Sequence, residues 1–176
     1  MANRFELRWS DYAWQADHRI PFLDYVIDGQ SLWTDRFVRD RHEVPLLGWL
    51  PRRADDDAAA RLLLEAPPDL GDRTAIFVCA SCGDLDCGAT SVIIERDGDE
   101  IVWRHPGSTS RVWGSEALGK PTWPEFPDRP TSDRFAVEVF RDEGFLFWPD
   151  EWRFDAEQYR RAIAERPGPL LRPLRS

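Results

Sequence analysis

A chain of 176 residues with 42% hydrophobic residues has enough apolar material for one folded core, which excludes wholesale disorder. Its 32 Asp and Glu against 23 Lys and Arg leave a net charge of −9; with no cluster of Lys or Arg, this excludes a nucleic-acid role and makes a basic protein the fitting kind of partner, although solubility alone explains such a charge. The start, Met1 to Glu6, has no apolar stretch of a secretory signal, no run is long enough to span a bilayer, and three clustered cysteines are not a secreted disulfide framework, so no membrane association and a cytoplasmic protein are expected.

Phe5 to Trp9 alternates apolar and polar residues, the period of a half-buried strand. Phe22 to Ile27 is a second strand candidate, closed by an Asp28-Gly29 turn. Ser31 is then placed to cap a short helix toward Asp40. A clearer helix lies between Pro51 and Pro67, with Asp55, Asp56 and Asp57 at its positive end and Ala59, Leu62, Leu63 and Ala66 as its apolar face. Thr74 to Cys79 and Ala89 to Arg96 read as strands, Asp97-Gly98 as a hairpin turn and Glu100 to His105 as the returning strand, which together predict an antiparallel meander. Residues 106 to 133, rich in proline and containing Trp113 and Trp123, read as an irregular segment that serves as a lid or binding edge or simply wraps the core. Phe135 to Phe140 and Phe145 to Trp148 read as a closing hairpin around Asp142-Glu143-Gly144. The final helix starts at Asp155 as N-cap, with Gln158 completing a capping-box pattern and Phe154 and Tyr159 at staple positions. The expected fold class is α+β, an antiparallel sheet meander with about three helices in a single domain over 1–166, followed by a mobile tail over 167–176.

The chemically distinctive stretch is Cys79-Ala80-Ser81-Cys82-Gly83-Asp84-Leu85-Asp86-Cys87-Gly88. A strand entering Cys-x2-Cys-Gly has the form of a zinc knuckle, in which a tight turn aims two thiolates at one point and Gly83 permits the backbone geometry behind them. Cys87 returns to the same end of the sheet. Structural zinc takes four ligands, and His105 is the nitrogen candidate for the fourth, although a flat hairpin leaves it roughly 10 Å along the strand from Cys87. Asp84, Asp86 and His42 are the other candidates. Three inert thiols filling a hairpin is an equally weighted reading, and redox or nucleophilic chemistry is a third. A thioredoxin-like site needs a helix opening at the Cys-x2-Cys, of which Gly83 to Asp86 gives no sign.

The run Cys82-Gly83-Asp84-Leu85-Asp86-Cys87-Gly88, preceded by Ile76-Phe77-Val78-Cys79 and followed by Val92 to Asp99, resembles a group of small uncharacterised actinobacterial proteins. The resemblance implies the hairpin and a source of that kind, and no activity. Lys120 as the sole lysine points the same way, toward a GC-rich genome.

Gly114 to Lys120 matches the Gly-x4-Gly-Lys of a phosphate-binding loop, but Pro121 stands where a magnesium-holding hydroxyl is required, so the match is a chance one. No pattern of Cys, His and Asp identifies a catalytic centre. The composition and motifs favour a binding protein, of the immunity or inhibitor type that neutralises a basic partner, with Trp113 and Trp123 as anchors within Gly107 to Arg134. A small metal- or thiol-dependent enzyme is the alternative.

Overall fold

A computed structural model describes residues 1–15, 18–34, 42–113, 135–140 and 148–170. Two antiparallel sheets and two α-helices are formed by these residues, α+β as the sequence predicts, with two helices rather than three among the described residues. The helix expected after Ser31 falls mostly on 35–41, outside them; Ser31 itself ends a strand, and its hydroxyl accepts the Thr34 N–H at 3.0 Å.

The first sheet contains β1 (Phe5–Gln15), β2 (His18–Ile27) and β3 (Gln30–Ser31) in that order. Both long strands outrun the stretches whose alternation marks them, because Arg8 to Ala13 pairs with Arg19 to Asp24 even where the pattern is polar. The second sheet runs β4 (Glu43–Pro45), β5 (Thr74–Cys79), β6 (Ala89–Asp97), β7 (Glu100–Trp113) and β8 (Phe135–Phe140). A ninth strand, β9 (Glu151–Asp155), also pairs with β7. Thus one long strand carries two short ones end to end on its free edge: β9 along Glu100 to Arg104, and β8 along Ser108 to Trp113. The meander of β5, β6 and β7 is the one the sequence predicts, but its two-residue turn is Gly98-Asp99 rather than Asp97-Gly98, with Asp97 facing Glu100.

Two strand assignments need correction. The segment from Pro106 is not irregular at its start, since β7 continues through a bulge to Trp113. The bulge sets His105 and Pro106 of β7 against Val92 alone, which explains how a proline is accommodated inside a paired strand. Buried Arg73 clamps this bulge, donating to the Ser91 hydroxyl at 2.8 Å, the Ser91 carbonyl at 2.9 Å and the His105 carbonyl. Second, Glu151 to Asp155, to which the sequence reading assigns no strand, forms β9 with its alternating Trp152 and Phe154 buried, and the expected strand before it, Phe145 to Trp148, lies outside the described residues except for Trp148, which is a bend.

Helix α1 (Arg52–Leu62) begins after Pro51 and buries Asp55, Ala58, Ala59 and Leu62. Asp55 is more than a favourable charge at a helix start. Its carboxylate accepts the Gly48 N–H at 2.6 Å and pairs with Arg166 at 2.9 Å, tying the 46–50 turn and the end of the last helix to α1. Helix α2 (Ala156–Ala164) starts where predicted, with the Asp155 carboxylate accepting the Gln158 N–H at 2.8 Å. The staple is present as a stack of Phe154 on Tyr159. Gln158, however, does not reach back to the cap; its amide donates to the Phe5 carbonyl and fixes β1 to the helix. The residues 167–170 that open the expected tail are held at their end, where the Leu170 N–H bonds the Gly48 carbonyl at 3.1 Å.

The core lies between the two sheets and the helices. Phe5, Tyr25, Phe77, Trp103, Phe154 and Tyr159 are wholly buried and pack mainly edge to face, the geometry that ring quadrupoles favour. Two of its polar handles are satisfied in series. Trp103 donates from Nε1 to the Tyr159 hydroxyl at 3.1 Å, which donates to the Leu62 carbonyl at 3.0 Å, linking β7, α2 and α1. No described helix is long and apolar enough to cross a membrane.

Candidate metal centre

The three cysteines meet at one end of the second sheet. Cys79 is the last residue of β5, and Cys82 follows in a turn closed by the Gly83 N–H on the Cys79 carbonyl at 2.9 Å. Gly83 has φ +68°, and a Cβ there would sit 3.1 Å from Leu50 Cδ2 and 3.3 Å from Trp49 Cη2, so the knuckle lies against the 46–50 turn and needs glycine on both counts. The chain then makes a short 3-10 turn, Leu85–Cys87, opened by Asp84, whose carboxylate accepts the Asp86 N–H at 2.9 Å. This turn swings Cys87 back, and Gly88 at φ +93° releases the chain into β6.

As a result the three Sγ atoms all lie within 4.8 Å of one another, and Cys82 and Cys87 are 3.3 Å apart. Thiolates held by one zinc at about 2.3 Å stand roughly 3.8 Å apart in a tetrahedral site. The observed spacing brackets that value, so the cluster can hold a metal with little rearrangement. Cys79 is half-buried on its strand, whereas Cys82 and Cys87 are exposed.

The Cys87 thiol is pushed up to about 12, first by the hydrogen bond with Cys82, then by burial and by the neighbouring Cys82, Cys79 and Asp84 charges. These neighbours thus oppose ionisation of the Cys87 thiol. A cation among them reverses that balance, since bound thiolates are deprotonated by the ion's own charge.

His105 does not join the cluster. The register places Ser108, not His105, opposite Thr90, and His105 lies three residues back along β7, on the bulge and against Val92. Its backbone is committed there: φ is +51°, its N–H donates to the Asp150 carbonyl at 2.8 Å, and its carbonyl faces Arg73. Counting pairs outward from Asp97-Gly98 missed this because the turn falls one residue later, on Gly98 and Asp99, which shifts every pairing as far as Arg104 by two residues; the bulge adds one more only beyond Pro106.

The other ligand candidates, His42, Asp84 and Asp86, do not join the cluster either, although His42 comes near it in the fold. β4 pairs with β5 so that Glu43 faces Cys79, and the His42 carbonyl accepts the Ala80 N–H at 2.9 Å. This histidine is therefore fixed in backbone position beside the knuckle, with its ring Nδ1 hydrogen-bonded to the Tyr12 hydroxyl. Only the β4–β5 pairing reveals it, and a three-residue strand leaves almost no signal. Glu43 is buried on the same face of the sheet as Cys79, and its carboxylate accepts the Thr90 hydroxyl at 2.6 Å.

The expected partner-binding segment is only partly placed. Pro106 to Thr109, which includes its first residues, is buried inside the sheet. Trp113 is the last residue of β7, opposite Phe135, and Trp123 lies outside the described residues.

Comparison with known proteins finds no family model, no curated protein and no solved structure that matches this chain.

Proposed function

We propose that this chain is a binding protein whose Cys79, Cys82 and Cys87 hold a zinc ion, which fastens the β5–β6 junction as a rigid platform. The observation that carries this reading is the convergence of three thiols within 4.8 Å on a turn that buries little. Packing does not explain it, because two of the three side chains are exposed and gain nothing from being adjacent. Zinc fits best because soft thiolate donors in a Cys-x2-Cys knuckle select it over the oxygen-seeking cations. Exposed Asp84 and Asp86 add a negative field at the mouth of the site. With a net charge of −9, the partner proposed for the platform is a basic protein, as an immunity or inhibitor protein would require.

Metal analysis of protein purified without chelator tests the site. Zinc equimolar with protein is expected in the native chain, and its loss in Cys82→Ser and Cys87→Ser. Native protein that takes up no zinc even when it is supplied in excess under reducing conditions sinks the reading.

A further inference from the structure

Cys82 and Cys87 have a second property that a purely structural metal site does not need. Both are exposed, they are in sulfur–sulfur contact at 3.3 Å, and the loop between them is flanked by glycines with positive φ. A disulfide bond is about 2.05 Å long, so closing the gap requires each sulfur to move by well under 1 Å. Cys79 is fixed on β5, half-buried, and is the poorest placed of the three to meet an oxidant.

We propose that this pair is a redox-responsive switch: hydrogen peroxide or another small hydroperoxide oxidises Cys82 and Cys87 to a disulfide, and the oxidised knuckle no longer retains its metal. One thiolate of the pair attacks the terminal peroxide oxygen, breaking the O–O bond and leaving a sulfenic acid and one molecule of water or alcohol. The second sulfur attacks the sulfenic sulfur, forms the S–S bond and expels the hydroxyl as water, so that two thiols and one peroxide give one disulfide with both thiol protons accounted for. Cys79 is then the sole thiolate of the set, and one thiolate cannot supply a zinc site. Loss of the ion rests on the metal reading above; formation of the disulfide does not.

The test uses the full chain in two states. Metal-free protein is treated with a small excess of hydrogen peroxide, alkylated and cleaved before aspartate, which cuts at Asp84 and Asp86 and separates Cys82 from Cys87. The expected product has lost two hydrogens, links the two cysteine-bearing peptides and leaves Cys79 alkylated. The link persists in Cys79→Ser and is lost in Cys82→Ser and Cys87→Ser. Zinc-loaded protein is treated in parallel with a chromogenic chelator present, and zinc release in step with disulfide formation is expected. A Cys79–Cys82 link, an intermolecular link, or sulfinic acid on separate cysteines overturns the proposal. If the disulfide forms but no zinc is ever bound, the metal reading falls and the thiol pair stands. If zinc binds and no Cys82–Cys87 link forms, the switch falls and the metal reading stands.

Discussion

At the turn end of the β6–β7 hairpin, Trp103 is wholly buried among Phe5, Tyr25, Phe154 and Tyr159, and its indole N–H has a built-in acceptor. At the opposite end, Cys82 and Cys87 stand in solvent on a loop, in contact with each other. The first arrangement explains itself, since each ring removes a large apolar area from water and the Trp103 and Tyr159 polar atoms are paired inside the core. The second does not. Exposed thiols gain little by meeting, so the turn geometry that gathers them, two positive-φ glycines and a carboxylate-capped 3-10 turn, points to something outside the chain that they bind. Groups that converge without burial are a better guide to function than groups that converge because they are buried.

The comparison breaks most easily at the aromatic end. Trp103→Ala removes the ring at the centre of the core and with it the donor to the Tyr159 hydroxyl, so a loss of about 5 kcal/mol is expected in chemical denaturation, close to the whole stability of an ordinary domain. A loss below about 1 kcal/mol would show that the core does not depend on this ring. Asp55→Ala comes next. It leaves the half-buried Arg166 guanidinium with Asp56 and the Ile163 carbonyl but without its buried partner, and orphans the Gly48 N–H, for an expected cost of about 3 kcal/mol.

A buried carboxylate also gives this region a pH signature. Burial raises Asp24 from 3.8 to about 6, against the opposing hydrogen bonds from Ser31 and from the Trp33 N–H. Because the folded value exceeds the unfolded one, the contribution of this group to stability is complete below pH 3.8 and is lost as pH rises through about 6. Asp24→Asn carries no such penalty. The stability of the variant relative to the native chain should therefore climb between about pH 4 and 6, by at most roughly 3 kcal/mol, and level off above. A flat difference across that window means the carboxylate is not penalised by its surroundings. Tyr159→Phe is a smaller cut. It keeps the ring but leaves the Trp103 N–H and the Leu62 carbonyl unpaired, and should cost about 1–2 kcal/mol.

What could be read from the sequence follows the same division. Local signals survived: the meander, the Asp155 cap and the gathering of the three cysteines each depend on residues close in the chain. Signals that depend on pairing between distant segments did not. The continuation of β7 past Pro106 depends on a bulge that Arg73 holds from 32 positions away, and His42 was set beside the knuckle by a three-residue strand. Asp55 shows both at once. Its place in the first turn of a helix is local and was legible, whereas its ion pair with Arg166 spans 111 positions and was not.

The smallest effect sharpens the contrast most. In metal-free, reduced protein, replacing Cys82 and Cys87 together with serine should change stability by no more than about 0.5 kcal/mol, because exposed side chains away from caps and core are nearly neutral. The same double variant should separate clearly from the native chain once zinc is added. An ion that binds only the folded state adds RT ln(1 + [L]/Kd), about 2.7 kcal/mol at a hundredfold excess over Kd, and the variant, left with Cys79 alone, should gain almost none of it. Thermal denaturation of both proteins with and without zinc measures all four states. Equal shifts in the two would place the zinc elsewhere. A large loss in the metal-free variant would mean instead that the thiols are part of the packing after all, and the knuckle would then belong with the aromatic end as a piece of the core.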